Sequence, residues 1–195
     1  MKETNLVGSD VKIDFEPVLA RLDEELSVIG QTLTLVCAGG YVMQQNGYRG
    51  TSDIDAFYEN NAEIESIIKK IGDEFGINKP DEMWLNNSIS NMNPAPPDEF
   101  CETIYTFSKL TVKSVGINYL IGMKLTSGRE QDLIDIGTIL KHDNNKQPFE
   151  LYSLLAGMGF DIDISVMLDA YEKAHGMDWL DDFYLNNQDN LREYF

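Results

Sequence analysis

The sequence predicts an α/β protein that ends in a helical segment. An apolar, β-branched run at residues 33–37 has the length and composition of a buried strand, and a second apolar run closes at residue 58. Apolar residues recur at helical spacing around these runs, and residues 147–195 carry only helical patterns. We therefore expect a core at residues 13–142, with a C-terminal helical extension, residues 147–195, packed on it.

The first half of the chain begins with a helix. Pro17 suits its first turn, where a missing N–H costs little, and Gly30 suits its end. A helix also follows the strand at 54–58, with Asn60 or Asn61 as its cap. The apolar stripes of these two helices are Leu19, Leu22, Leu26 and Ile29, then Ile64, Ile67, Ile68 and Ile71.

The residues with the most chemical interest lie between the two predicted strands. Gly39 and Gly40 lack Cβ, so the chain can turn sharply there and its N–H groups can approach a ligand closely. If a helix starts at this turn, those N–H groups lie at its positive end, which suits phosphate. Asp53 and Asp55 are two apart, so a strand places both carboxylates on one face. Their mutual repulsion favours a cation, for which Mg²⁺ bridging nucleotide phosphates is the usual candidate.

Gly39-Gly40, followed by twelve residues and then Asp53-Ile54-Asp55, resembles the entry motif of the nucleotidyltransferase superfamily, which has the fold of DNA polymerase β. The resemblance implies a mixed sheet flanked by helices, with Asp53 and Asp55 as metal ligands. It also implies that Gly39 and Gly40 bind the triphosphate of a nucleotide. The residues before the aspartates are similar to those of the AbiEii-type toxins of bacterial type IV toxin–antitoxin systems, and they add three nucleotide-binding candidates: Arg49, Thr51 and Ser52. For Arg49, a contact with phosphate and a pair with an aspartate that holds the turn are equally favoured.

The middle of the chain predicts a loop and a hairpin. Residues 80–101 are rich in Asn and Pro, and we expect a flap beside the site. Trp84 has two interpretations, stacking on a base or filling the core, and the second is favoured. Strands at 103–107 and 110–115 follow. The superfamily generally carries a third carboxylate on a later strand. The candidates are Glu102 at the start of the hairpin and, near Trp84, Asp81, Glu82 and the neutral Asn86.

A long helix is predicted over residues 117–142. Arg129, Asp132 and Asp135 are three apart and share a face, and Lys124 precedes them on a side that we expect to be exposed. This run resembles a second motif of the AbiEii-type branch. The resemblance implies that Lys124 binds nucleotide phosphates, that Asp132 assists catalysis, and that Arg129 contributes to nucleotide binding. The alternative is a surface ion pair between Arg129 and Asp132 that contributes little energy.

The composition limits the partners. The net charge is −18, from 33 acidic and 15 basic residues, and the basic residues form no dense run. Duplex nucleic acid is therefore an unsuitable partner, because counterion release needs many cations along one surface. Binding of a nucleotide, of a basic protein such as an antitoxin, or of an RNA end over a few phosphates stays open. The absence of a membrane-length apolar run, together with only two cysteines, favours the bacterial cytoplasm.

The expected reaction is Mg²⁺-dependent transfer of a nucleoside monophosphate from a nucleoside triphosphate to a hydroxyl, in the manner of a toxin of a toxin–antitoxin system. Two alternatives remain. One is a catalytically inactive domain of the same fold that binds a nucleotide or a protein. The other is an interaction protein held by a partner through its acidic surface. Two histidines, His142 and His175, lie far apart in the sequence and predict no zinc site.

Overall fold

A computed structural model describes residues 12–91, 94–142, 147–192 and 194. Residues 92–93, 193 and 195, which belong to segments discussed above, lie outside the described residues. The chain forms two compact units, one ending at Gly116 and one beginning at Ile117, and each is described by itself. The predicted core, residues 13–142, extends past this division, and its limits stay a prediction.

The first unit is built on a five-stranded mixed sheet, which confirms the predicted fold class. The elements are α1 (Glu16–Ile29), β1 (Leu33–Ala38), α2 (Gly39–Gln45), β2 (Ile54–Phe57), α3 (Ala62–Phe75), β3 (Leu85–Asn86), β4 (Cys101–Thr106) and β5 (Leu110–Val115). The strand order is β3-β2-β1-β5-β4. Neighbours β1 and β2 are antiparallel, as are β4 and β5, whereas β1 pairs with β5 and β2 with β3 in parallel.

The predicted helix ends of this unit are confirmed. Gly30 ends α1 in the left-handed conformation, and the side chain of Asn61 accepts hydrogen bonds from Glu63 N–H and Ile64 N–H at the start of α3. The apolar stripes of α1 and α3 are buried together with alternate residues of β1, which form one core. These strand residues are Leu33, Leu35 and Cys37.

Trp84 fills this core. Its side chain is 1% exposed, its ring stacks on Phe15 with centroids 6.3 Å apart, and its indole N–H donates to the carbonyl of Ile68 at 2.8 Å. The core interpretation is confirmed, and stacking of Trp84 on a bound base is wrong. The loop around it is also more ordered than predicted, because Trp84 leads directly into β3.

The second unit is helical. It contains α4 (Ile117–Ser127), α5 (Glu130–His142), α6 (Pro148–Gly157), α7 (Ile164–His175), α8 (Met177–Asn186) and α9 (Gln188–Leu191). The three predicted C-terminal helices correspond to α6, α7 and α8, and the short fourth helix, α9, is not predicted by the sequence. The single helix predicted over 117–142 is wrong, because Gly128 has φ +64° and separates α4 from α5. None of the helices in the described residues combines the length and the apolar composition needed to cross a bilayer.

Candidate nucleotide-binding site

Asp53 and Asp55 lie where β2 begins. Strands β1 and β2 are neighbours, and Ala38 pairs with Asp55. Ile54 and Ala56 are fully buried in the core, so alternation along the strand directs Asp55 to the opposite face of the sheet. Asp53 immediately precedes the strand and is half-buried, as is Asp55. The predicted pairing of the two strands is confirmed.

Gly39 lies directly against Asp55. A methyl group placed on Gly39 would lie 2.7 Å from Asp55 Oδ2, which is closer than carbon and oxygen approach without displacement. Gly39 also has φ +60°, where side chains other than hydrogen are strained. Only glycine therefore allows α2 to start at this carboxylate, and the predicted proximity of the glycine turn to Asp55 is confirmed.

Gly40 lies against Thr51, which in turn holds Asp53. A methyl group on Gly40 would lie 2.6 Å from Thr51 Oγ1. Thr51 Oγ1 donates to Asp53 Oδ1 at 3.1 Å, and the Ser52 hydroxyl is 3.5 Å from the same oxygen. The two glycines therefore approach the two aspartates in different ways, Gly39 directly and Gly40 through a hydroxyl.

A buried glutamine fixes this arrangement, and sequence reasoning missed it. Gln44 on α2 is 8% exposed. Its Oε1 accepts from the Thr51 N–H at 3.0 Å, and its Nε2 donates to the carbonyl of Ile13 at 2.7 Å. Gln44 thus ties the loop that carries Thr51 to the helix that starts at Gly39. A glutamine near the end of a short helix gives no sequence signal for this role.

Arg49 lies at the edge of the same cluster. A methyl group on Gly40 would lie 3.4 Å from one guanidinium nitrogen of Arg49, and that nitrogen donates to the carbonyl of Gly50 at 3.1 Å. The side chain is exposed. Arg49 is therefore placed beside the glycine turn, where a phosphate contact and a structural role are both compatible with its position.

The backbone at the start of α2 suits an anion. Ala38 is the N-cap of this helix and provides no side-chain hydrogen bond. The first N–H groups of a helix have no intrahelical acceptor, so those at Gly39 and Gly40 are directed out of the helix. Because α2 is only seven residues long, its dipole is small. The absence of side chains at Gly39 and Gly40, which lets a ligand come close to the backbone N–H groups, therefore matters more than the dipole.

Lys79 is a second residue that the sequence analysis missed. It donates to Glu82 at 2.7 Å, which is the main cause of its raised pKa; partial burial opposes this rise, and the negative charges of Asp53 and Asp55 add to it. A cation is therefore within electrostatic range of both aspartates. The sequence shows Lys79 only as part of a helix-ending segment, so no motif indicates it.

The position beside Asp55 on the next strand is occupied by Asn86. Strands β2 and β3 are parallel, with Ile54 opposite Leu85 and Asp55 opposite Asn86. Glu102 lies on β4, which is separated from β2 by β1 and β5, so this candidate for a third carboxylate is wrong. Neighbouring strands are about 4.8 Å apart, which places Glu102 about three strand spacings from Asp55.

A surface groove of about 1000 Å³ adjoins this edge of the sheet. Its polar lining includes Lys69, Asp73, Lys79, Glu82, Asn86 and Ser88. The lysines of the groove are paired with its acids, Lys69 with Asp73 at 2.8 Å and Lys79 with Glu82 at 2.7 Å. The groove therefore presents a mixed polar surface and not a cationic one.

Asp132 and Asp135 of the second unit form a buried ion cluster with Lys124. Lys124 is 5% exposed, which contradicts the expected exposure, and its Nζ donates to Asp132 Oδ1 and to Asp135 Oδ2, both at 2.7 Å. In one straight helix these partners would lie about 12 and 16 Å along the axis from Lys124, so the break at Gly128 is what brings them together. Gln131 donates to Asp135 at 3.1 Å.

Arg129 completes the cluster. Its Nε donates to Asp132 Oδ2 at 2.7 Å, and the Arg129 side chain is 69% exposed whereas the Asp132 side chain is 2% exposed. Burial raises the pKa of Asp132, but hydrogen bonds from Arg129 and Lys124 outweigh it and hold the pKa below its usual range. The pair is therefore not the surface pair of the alternative interpretation. The nucleotide and catalytic roles that resemblance implies for Lys124, Arg129 and Asp132 stay predictions.

The donor set at Asp53 and Asp55 fits Mg²⁺ only together with a substrate. Within the described ranges, no group of three or more His, Cys, Asp or Glu side chains is placed to hold a metal ion. Mg²⁺ in nucleotide sites is commonly held by one or two carboxylates plus phosphate oxygens and water. Two half-buried carboxylates next to a glycine turn are compatible with that coordination.

Comparison with known proteins shows the family of the chain. The family model described as "Nucleotidyltransferase of unknown function (DUF6036)" matches residues 17–142, which spans nearly all of the predicted core. Curated proteins and solved structures gave no match. The matched family agrees with the superfamily that the glycine turn and the aspartates indicate, and the similarity to AbiEii-type toxins stays a prediction.

Proposed function

The chain belongs to the DUF6036 family of nucleotidyltransferases, and from this premise we propose that it transfers a nucleoside monophosphate from a nucleoside triphosphate to a hydroxyl acceptor. The observation that carries the proposal is the convergence of Gly39 on Asp55 and of Gly40, through Thr51, on Asp53. A phosphate-binding turn and two carboxylates at adjacent strand ends are what a metal–triphosphate complex needs.

Each residue has a defined part in this proposal. Asp53 and Asp55 would hold Mg²⁺, which when bound polarises phosphate oxygens and neutralises charge. Thr51 and Ser52 orient Asp53 through their hydroxyls. The N–H groups at the glycine turn bind phosphate oxygens. In the reaction the acceptor oxygen bonds to the α-phosphorus, the bond from that phosphorus to the β-phosphate oxygen breaks, pyrophosphate leaves, and the hydroxyl proton is released to solvent.

The acceptor in this proposal is not duplex nucleic acid. A net charge of −18 repels polyanions, and the groove beside the site has its lysines paired with acids. A protein hydroxyl, a small molecule, or an RNA end held over a few phosphates fits this surface. The resemblance to AbiEii-type toxins adds the proposal that transfer arrests growth and that an antitoxin or another protein partner restrains it.

Label transfer tests the proposal. The chain is incubated with each α-labelled nucleoside triphosphate, Mg²⁺ and a bacterial extract, and the products are separated into RNA, protein and small molecules. We expect label in one fraction with the wild-type chain and none with Asp55→Asn. Label equal in both would contradict the proposal. For the toxin proposal, expression of the wild type must slow growth and expression of Asp55→Asn must not.

One observation favours the alternative of an inactive nucleotide-binding module. The residue beside Asp55 on β3 is the neutral Asn86 and not a carboxylate. An inactive module binds nucleotide in a metal-dependent way and yields no labelled product in any extract fraction. Metal-dependent nucleotide binding together with a labelled product identifies an enzyme. If the wild type shows neither, the assignment of a nucleotide site is contradicted.

A further inference from the structure

Asn86 stands at a defined place beside the metal-binding aspartates. Its partner across the β2–β3 pair is Asp55. Leu85 and Ile54, the preceding residues on the two strands, are both fully buried in the core. Alternation along each strand therefore places Asp55 and Asn86 on the same, opposite face of the sheet, about one strand spacing apart.

The carboxamide of Asn86 has a fixed orientation. Its Oδ1 accepts from the Ser88 N–H at 3.1 Å and from the Ser88 hydroxyl at 2.5 Å. Its Nδ2 is shielded from solvent and has no hydrogen-bond partner among the described residues. A buried N–H group without a partner is costly, so a native structure that keeps one needs a reason, such as a catalytic role or a bound water or ion. Asn86 and Ser88 also line the groove.

An amide N–H and a carboxylate have opposite effects on a cation. Divalent metals bind oxygen, and the oxygen of Asn86 is held by Ser88, so this side chain cannot complete a second metal site. Its two N–H groups instead suit an electronegative atom. At this place, beside a carboxylate that would hold Mg²⁺, the oxygen atoms that approach are those of the substrate.

We propose, resting on the function proposed above, that Asn86 donates a hydrogen bond to a substrate oxygen and that the site therefore holds one divalent cation per bound nucleotide, not two. Asn86 is then a substrate-positioning residue in place of a metal ligand. The acceptor hydroxyl or a phosphate oxygen lies against β3, and no second metal activates it.

Metal counting tests this inference. The probes are Mn²⁺ and the non-hydrolysable α,β-methylene analogues of ATP, CTP, GTP and UTP, each in turn, with native mass spectrometry of the complex of one chain and one nucleotide. We expect one Mn²⁺ with the wild type and two with Asn86→Asp, which adds a carboxylate beside Asp55. The matched control is Asn91→Asp, the same change at an exposed position of the same segment, which must keep one.

The outcomes separate the inference from the proposed function. The inference is overturned if the wild type binds two Mn²⁺ ions or if a folded Asn86→Asp variant binds only one. Either result leaves the proposed function uncontradicted. No metal-dependent binding by the wild type overturns both. A second measurement does not depend on the acidic variant. Asn86→Ala must weaken binding of the nucleotide analogue about three- to tenfold, as expected for loss of one hydrogen bond, while the number of bound Mn²⁺ ions stays the same. An unchanged affinity for the analogue overturns the inference.

Discussion

The chain uses two pairs of aspartates in opposite ways. In the second unit Asp132 and Asp135 are almost fully buried, and Lys124 donates to both. In the first unit Asp53 and Asp55 are half-buried, and the hydrogen bonds to Asp53 come from the neutral hydroxyls of Thr51 and Ser52. A carboxylate fixed by the buried Lys124 contributes to the fold, whereas Asp53, which is half-buried and oriented by hydroxyls, belongs to the metal site that we propose.

The largest expected effect is on chemistry at the accessible pair. Asp55→Asn should reduce label transfer about a thousandfold or more, because a bound metal supplies several kcal/mol to phosphoryl transfer and about 1.4 kcal/mol is a factor of ten. Thermal unfolding should show no large loss of stability, since the change removes one of two neighbouring negative charges. Asp73→Asn, which alters an exposed aspartate paired with Lys69, is the control and should keep activity. Equal activity in both variants would contradict the assignment.

The buried pair should respond in stability. Lys124→Ala removes a cation from two buried carboxylates, and loss of one partner of a buried ion pair costs about 3–5 kcal/mol of the free energy of unfolding. Urea unfolding measures it. Lys173→Ala is the matched control, because Lys173 pairs with the exposed Glu130. Removal of this surface pair should lower the free energy of unfolding only slightly. Similar losses in both variants would show that the buried cluster contributes no more than a surface pair.

The pH dependence sharpens the same contrast. The folded pKa of Asp132 is lowered, so its stabilising contribution is present above its ordinary value of about 3.9 and is lost as the pH falls through the lower, folded value. The stability deficit of Asp132→Asn relative to the wild type should therefore be full at pH 5–7 and shrink below about pH 4. Urea unfolding at each pH measures the deficit, with Asp181→Asn, the same change at an exposed position of the same unit, as the control.

The sequence predicted the fold and the first pair better than the second. Strand composition and the order of Gly39, Gly40, Asp53 and Asp55 carry local information, and the structure brings them together as expected. The Lys124 cluster depends on a helix break at Gly128, and the apolar periodicity continues through that break, so a single helix was predicted. The roles of Gln44 and Asn86 depend on pairing between distant segments, which no local pattern encodes.

The glycine turn gives a smaller effect with a close control. Gly39→Ala places a methyl group 2.7 Å from Asp55 Oδ2 at φ +60°, whereas Gly47→Ala has nearly the same strain, with φ +77° and no atom within 4 Å. Left-handed backbone costs about 1–2 kcal/mol at either site. Only Gly39→Ala should lower the free energy of unfolding by more than this amount, and only Gly39→Ala should weaken metal-dependent nucleotide binding. Equal effects would mean that the approach to Asp55 has no functional consequence.

The smallest effect concerns Lys79, and its sign is informative. Because this cation lies within electrostatic range of Asp53 and Asp55, it competes with a metal for their negative charge. Lys79→Gln should therefore tighten Mn²⁺ binding in the absence of nucleotide about two- to threefold at low salt, an effect that screening removes near 1 M salt. Lys69→Gln is the control, since that lysine lines the same groove and, like Lys79, pairs with an acid. Isothermal titration calorimetry measures the Mn²⁺ affinity of the wild type and of both variants. Weaker metal binding in Lys79→Gln would mean that Lys79 holds Asp53 and Asp55 in place for the metal more than it competes with the metal for their charge. Asp53 and Asp55 would then depend on a cation for their structure, as Asp132 and Asp135 do.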